Sequence, residues 1–454
     1  MRDIQHYLRS RAADFEEDLC RLLRIPSVSA DGKYRSDVER AAQWIADQFE
    51  RLGVAREVIP TAGHPLVYAE TPAVPGAPRV LVYGHYDVQP PDPLGEWISP
   101  PFEPTRRDGD LFARGATDDK GQLLTHVKSL EAWMRVRGGL PLQVKFLIEG
   151  EEEVGSEHLD GFLRANAERL ACDVVVISDS SQFSPDLPAI TYGLRGIAYF
   201  ELRVTGPRQD LHSGTFGGSI MNPANALTAI LARLIDDRGR IQVPGFYDDV
   251  LPLTDQERSQ FRALPFDEDR FQGRIGVPKL HGEDGYTTLE RRWARPTFDI
   301  NGLWSGYQGE GSKTVLPARA GAKFSFRLVP NQNPAKVAEC LRGFLASVCP
   351  PGVTYELIEM HGGAGYVADL SSPYLAAAAR AIERGFGTAP VFIREGGSIP
   401  IVSSFRKHLK ADSLLLGWGL DDDNAHGPNE KLRIADFHRG IAASAHLWNE
   451  LASR

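Results

Sequence analysis

Acidic and imidazole side chains recur in this chain directly after apolar runs. RVLVYG (79–84) leads into His85 and Asp87, and VKFLIEG (144–150) into Glu151, Glu152 and Glu153. VVVIS (174–178) leads into Asp179, and SLLLGW (413–418) into His426 across a short acidic loop. Dense apolar runs of this length read as buried strands. Open α/β sheets bind their ligands beyond the carboxyl ends of such strands. Four strands therefore deliver carboxylates and imidazoles to one edge, and Asp118 in RGATDDKG, just before a helix, is a further candidate. Each residue alone has an ordinary explanation. A lone His is usually a core or surface residue, three Glu a solvated face, and an Asp before a helix an N-cap. Those explanations do not account for the coincidence at four strand ends. A mixed His and carboxylate set without Cys suits zinc, manganese or cobalt in a hydrolytic site. Two His and three carboxylates, one of them shared, could hold two ions about 3.5–4 Å apart.

The elements that must position these residues follow from periodicity. Apolar residues at three- and four-residue steps predict a helix from Ile4 to Leu23, ended by Pro26, and a second over 41–52. Helices are also expected over 122–136, 158–170, 372–385 and 434–452. Alternation of these with the apolar runs predicts an α/β sheet with helices on both faces. The middle of the chain differs. IAYFELRVT (197–205) and AKFSFRLV (322–329) alternate apolar and polar, as in a sheet with one exposed face. With helices over 222–235 and 334–348 and a strand at 353–360, this layout is ferredoxin-like. Residues 236–300 read as long and irregular. The expected architecture is a doubly wound domain, 1–196 and 362–454, interrupted by a smaller α+β domain, 197–361.

Composition limits the function classes. The formal net charge of −9, with no basic block, makes nucleic acid and anionic membranes poor partners. No apolar run approaches the roughly 20 residues of a membrane span. The charged N-terminus has no signal-peptide core. The four cysteines are scattered and read as reduced thiols in a cytoplasmic protein.

Together the motifs resemble the M20 family of metallopeptidases. The matching segments are YGHYDVQP (83–90), RGATDDKG (114–121), EGEEEVGSEHL (149–159), ISDS (177–180), TYGLRG (191–196), DLHSG (210–214), EGGSIP (395–400) and AHGPNEKL (425–432). They match in order and spacing over nearly the whole chain. KTVLP (313–317) and FSFRLVPNQ (324–332) are most similar to the carnosinase and cytosolic nonspecific dipeptidase branch.

The resemblance implies roles. Asp118 bridges two divalent ions, expected to be Zn²⁺, with Mn²⁺ or Co²⁺ as alternatives. His85 and Asp179 complete one ion's shell, and Glu153 and His426 the other's. Asp87 bonds the far nitrogen of His85 and sets its tautomer. Glu152 is the general base and later the acid, acting on a metal-bridging water, while Glu151 falls where the family varies. The Asp118–Asp119 peptide is expected to be cis. His212 is the lid histidine that reaches the oxyanion across a homodimer. A dipeptide's free carboxylate would be held by Arg327, whose guanidinium suits two parallel bonds, and by Ser398 in its Gly-Gly-Ser turn with Gly397. Thr314 and His361 match further substrate-contacting positions. The implied activity is hydrolysis of dipeptides. An N-acyl amino acid deacylase or a carboxypeptidase would use the same metals and base. A catalytically silent relative would be expected to lack a ligand or the base, and all six are present.

Overall fold

The structure is a computed structural model that describes residues 1–397 and 399–453, and of Pro400 the backbone only. The chain divides into two compact units: Met1–Tyr192 with Ala368–Ile393 and Ser404–Arg454, and Gly193–Val367 with Arg394–Ser403. The second unit thus takes in Arg394–Ser403, a stretch that sequence alone leaves with the first. The reason is local packing: the Arg394 guanidinium pairs with Glu257, and Gly396 lies against Arg195, all within the second unit.

The first unit is built on a mixed sheet. At its centre the strand Arg79–His85 runs parallel to Gln143–Glu149 on one side and to Val174–Ile177 on the other. Asp412–Leu416 extends the parallel set beyond Val174–Ile177. Val80, Leu81, Val82, Val144, Phe146 and Val174–Ile177 are all fully buried, as expected where helices cover both faces. Two antiparallel strands, Leu66–Glu70 and Ala55–Ile59, continue the sheet on one side, and Ala189–Leu194 on the other. None of these three stands out in the sequence. Ala55–Ile59 is an edge strand with little burial, and its residues carry no apolar alternation.

Helix Lys120–Arg137 starts immediately after Asp118 and Asp119 and ends at Gly138 in the left-handed conformation (φ 73°). It is buried nearly all round, which holds its N-terminal end firmly. Helices Pro373–Phe386 and Ile434–Ala452 pack so closely that a Cβ at Gly385 would lie 2.6 Å from the Ala443 nitrogen. The N-terminal helical run is two helices, Arg2–Ser10 and Ala12–Leu23, broken at Arg11. The helix expected over 158–170 is shorter, Leu159–Ala165, and the Asn166 side chain bonds back to the Phe162 carbonyl at its end.

The second unit has a four-stranded antiparallel sheet in the order Thr297–Ser305, Arg319–Leu328, Gly196–Thr205, Thr354–Gly363. With helices Pro223–Ala232 and Pro334–Val348, this is the strand–helix–strand–strand–helix–strand arrangement expected. Phe200, Leu202, Phe324 and Phe326 pack with Leu227, Ile230, Leu341 and Leu345 in one apolar core. Both helices begin with an Asn N-cap, Asn222 or Asn333, followed by Pro.

Residues 236–300 are more ordered than their composition suggests. They hold helices Asp255–Ala263, Glu268–Ile275 and Thr288–Ala294 and the edge strand Thr297–Ser305. Two capping boxes, Thr254 with Glu257 and Thr287 with Glu290, mark two of the helix starts and were legible as T-x-x-E. Among the described residues no helix is long and apolar enough to cross a membrane.

Candidate metal centre

The parallel strands of the first unit end where the acidic residues begin. His85 is the last residue of its strand. Glu152 and Glu153 open a short 3₁₀ turn (Glu152–Val154) just beyond Gln143–Glu149. Asp179 lies two residues past Val174–Ile177. Asp118 sits on no strand, and its peptide bond to Asp119 is cis. His426 lies in the loop after Asp412–Leu416 and has left-handed backbone (φ 64°), a conformation that costs a non-glycine residue about 1–2 kcal/mol.

These elements bring five side chains into two overlapping sets. His85, Asp118 and Asp179 form one set and Asp118, Glu153 and His426 the other, each with its candidate ligand atoms within 4.8 Å of one another. His85 Nε2 is 3.1 Å from Asp118 Oδ1 and 4.0 Å from Asp179 Oδ2. His426 Nε2 is 3.0 Å from Asp118 Oδ2 and 3.3 Å from Glu153 Oε2. The two oxygens of Asp118 thus face different histidines. His85 is fully buried, yet its Nε2 finds no well-aligned hydrogen bond among the described residues.

Charge in the site is lopsided. Burial pushes the Asp179 carboxyl up to about 7, and the neighbouring Asp118 adds to the rise. Burial likewise raises Glu152 well above the carboxylate range, with Asp179, Glu153 and Asp118 adding and His85 opposing. Asp118 is held low: burial works against it, but His426 and His85 outweigh that. His426 is drawn up to about 10 by Asp118 and Glu153. Crowded carboxylates that compete for too little positive charge are the donor set a divalent cation satisfies. The buried, unbonded Nε2 of His85 fits the same reading.

Asp87 is placed differently from the expectation in one respect. The nearest acceptor to His85 Nδ1 is the Asp87 backbone carbonyl at 3.1 Å, while the carboxylate Oδ1 is at 3.4 Å. The carboxylate, still within ion-pair reach of Nδ1, also accepts the backbone N–H groups of Glu152 at 3.3 Å and Glu153 at 3.1 Å. Both neighbours of Nδ1 are acceptors, so that nitrogen is placed to donate, and Nε2 is the one that faces Asp118 and Asp179. Sequence reading missed Gln89, whose Nε2 donates to Glu153 Oε2 at 2.8 Å. Its only signal was its place in the VQP that follows Asp87. Glu151, set aside on sequence, pairs with His158 at 2.9 Å and not with the two sets.

The other candidates belong to the second unit. His212 pairs with Val315 across a two-stranded ribbon, and the Ser213 N–H donates to the Thr314 carbonyl, so His212 and Thr314 are neighbours. His212 Nδ1 accepts the Gly214 N–H at 3.0 Å, which leaves Nε2 as the nitrogen placed to donate. Arg327 lies opposite Ile197 and His361 opposite Tyr199, so both side chains occupy the sheet face away from the buried phenylalanines. His361 stacks on Tyr199 with ring centres 4.9 Å apart. Arg327 is half-buried, and that burial lowers its proton affinity. Gly397 is exposed, and Ser398 lies outside the described residues.

The family model described as peptidase family M20/M25/M40 matches residues 81–450. The Cys-Gly metallodipeptidase dug1 of Schizosaccharomyces pombe is 36% identical, over 97% of this chain and 96% of its own. Among solved structures, human carnosine dipeptidase 1 superposes with a TM-score of 0.85 at 33% identity, covering 99% of this chain and 98% of that one. An M20 family metallo-carboxypeptidase from Sulfolobus solfataricus gives 0.87 at 33% identity, covering 97% and 99%.

Proposed function

This chain belongs to peptidase family M20/M25/M40, and we propose that within it the protein is a dipeptidase that uses two divalent cations. The observation that carries this reading is the pair of overlapping ligand sets that share Asp118. The full-length similarity to a metallodipeptidase and to a carnosine dipeptidase supports the substrate class.

His85, Asp118 and Asp179 would hold one cation, and Asp118, Glu153 and His426 the other. Zn²⁺ suits this set, with Mn²⁺ and Co²⁺ close behind. Such a pair supplies the positive charge that acidifies water and polarises the scissile carbonyl. Glu152, adjacent to the ligand Glu153 but outside both sets, takes the proton from the attacking water. As the carbon–oxygen bond forms and the carbon–nitrogen bond breaks, it returns that proton to the leaving amine. Asp87 keeps this turn in place through the two backbone N–H groups. His212 presents Nε2–H to the developing oxyanion. Arg327, with Thr314, His361, Gly397 and Ser398, would hold the substrate's free carboxylate.

Reconstitution of chelated protein with Zn²⁺ or Mn²⁺, followed by a panel of dipeptides, N-acyl amino acids and longer peptides, tests the substrate class. Release of amino acids from dipeptides alone supports the proposal. Cleavage confined to N-acyl amino acids or to C-terminal residues of longer peptides would assign the chain to the second reading, deacylase or carboxypeptidase. The likeness to the Sulfolobus metallo-carboxypeptidase favours keeping that reading.

Arg327→Ala is expected to raise KM for dipeptides by about 10- to 100-fold with a smaller change in kcat, the loss of a charge-assisted pair. It should also remove the preference for a dipeptide over its C-terminal amide. An unchanged KM would exclude Arg327 from carboxylate binding.

We further propose a cytoplasmic homodimer in which His212 serves the partner's site. His212→Ala and Glu152→Gln should each be nearly inactive alone. Mixed after dissociation in equal amounts, half the dimers carry both variants, and each of those has one complete site. Activity should then return to about a quarter of wild type. No recovery would place His212 in its own chain's site or nowhere near one.

A further inference from the structure

We propose that Glu430 and Arg114 form a buried clamp that sets Asp118 relative to His426, so that both are positioning residues for the paired cations. The proposal rests on the two-cation reading above. Glu430 is 0% exposed, and the Arg114 side chain 1%. Four donors converge on the Glu430 carboxylate. Oε2 accepts Arg114 Nη1 at 2.8 Å and the Gly115 N–H at 2.8 Å. Oε1 accepts the Thr117 N–H at 2.9 Å and the Asp118 N–H at 3.1 Å. The loop that carries the shared ligand is therefore wrapped around a buried carboxyl group.

Arg114 ties the same group to the other loop. Its Nη2 donates to the His426 carbonyl at 3.0 Å and to the Pro90 carbonyl at 3.2 Å. A second strap runs alongside: Thr117 Oγ1 donates to Asp423 Oδ2 at 3.0 Å, and that oxygen also accepts the Leu420 N–H at 2.8 Å. The Asp118 loop and the His426 loop are thus joined twice, both times through groups that touch no candidate ligand atom.

Two features argue that this pair serves the site rather than stability. A buried ion pair gives little net stability over apolar residues of the same volume. And the clamp lies where precision is needed most. Both Asp118 oxygens are committed, at 3.1 Å and 3.0 Å from the two histidines. His426 is half-exposed on left-handed backbone, with little packing of its own to hold it. The two carboxylate oxygens each accept two of the four donors. An amide would turn its NH₂ toward two of them.

The test is a Zn²⁺ titration against a competing chelator for wild type, Glu430→Gln, Arg114→Lys and the control Glu450→Gln. Glu450 is also buried, with its side chain 7% exposed, and pairs with the half-exposed Arg380 at 2.7 Å and Arg384 at 2.9 Å, between helices Pro373–Phe386 and Ile434–Ala452. Both clamp variants should bind at least one of two Zn²⁺ ions about 10- to 100-fold more weakly, the usual effect of losing a residue that orients ligands. Glu450→Gln should bind both as wild type does, whatever its thermal stability. Arg114→Lys keeps the charge but cannot reach Glu430 and the His426 carbonyl together, so it decides the matter if Glu430→Gln does not fold. Wild-type affinity in the folded clamp variants would overturn the clamp alone. A wild type that binds fewer than two ions would overturn the two-cation reading and the clamp with it.

Discussion

Glu152→Gln is expected to lower kcat for dipeptide hydrolysis by about 10²- to 10⁴-fold, the range for losing a general acid–base group, while metal content stays near that of wild type. The geometry separates the two effects. Glu152 lies outside both candidate ligand sets, whereas its neighbour Glu153 lies within one. Gln keeps the size of the side chain, and the backbone N–H of residue 152 can still donate to Asp87 Oδ1. What disappears is a carboxylate that can take up a proton and hand it on. Steady-state kinetics and metal analysis on the same preparation check this. Activity within tenfold of wild type would remove Glu152 from the chemistry. Lost metal would make it a ligand instead.

Asp118→Ala should have the largest effect on metal content of any single substitution. It is the one residue common to both sets, so its removal leaves each with a single carboxylate and a single imidazole. Both ions should be lost at micromolar Zn²⁺, and hydrolysis should fall by at least about 10³-fold, since the charge that acidifies water goes with them. Asp179→Ala touches one set only and should leave one ion bound. Metal counts of zero for the first variant and one for the second would fit the shared-ligand arrangement. Equal counts in the two would show that Asp118 is not shared. Circular dichroism of the chelated proteins distinguishes metal loss from unfolding.

Part of this arrangement was legible in the residues. The runs at 79–84, 144–150 and 174–178 are mostly apolar because their strands are covered on both faces, and the strands are where the runs are. The lid-type sheet was legible for the complementary reason. IAYFELRVT alternates because one face meets Leu227 and Leu341 and the other does not. The weak points share a cause as well. Ala55–Ile59 is an exposed edge and has no burial to imprint a pattern. The helices in 236–300 are short, and Asp255–Ala263 and Glu268–Ile275 are mostly exposed, so a capping box carried more information there than apolar residues. Arg394–Ser403 joined the second unit through contacts with Glu257 and Arg195, residues more than a hundred positions away.

The sequence by itself determined the kind of chemistry. Residue types at strand ends specify a hard, oxygen- and imidazole-rich donor set, and parallel strands must end on a common edge. It also carried the family through the order of its motifs. Only the tertiary structure decided how those donors are shared and held. It faces the two oxygens of Asp118 toward different histidines, turns the Asp87 carboxylate toward the N–H groups of residues 152 and 153, and closes Glu430 over the Asp118 loop. Hydrophobic periodicity records whether a side chain meets water or core. It holds no record of which polar partner a residue meets, and the Asp118–Glu430 bond joins groups 312 residues apart.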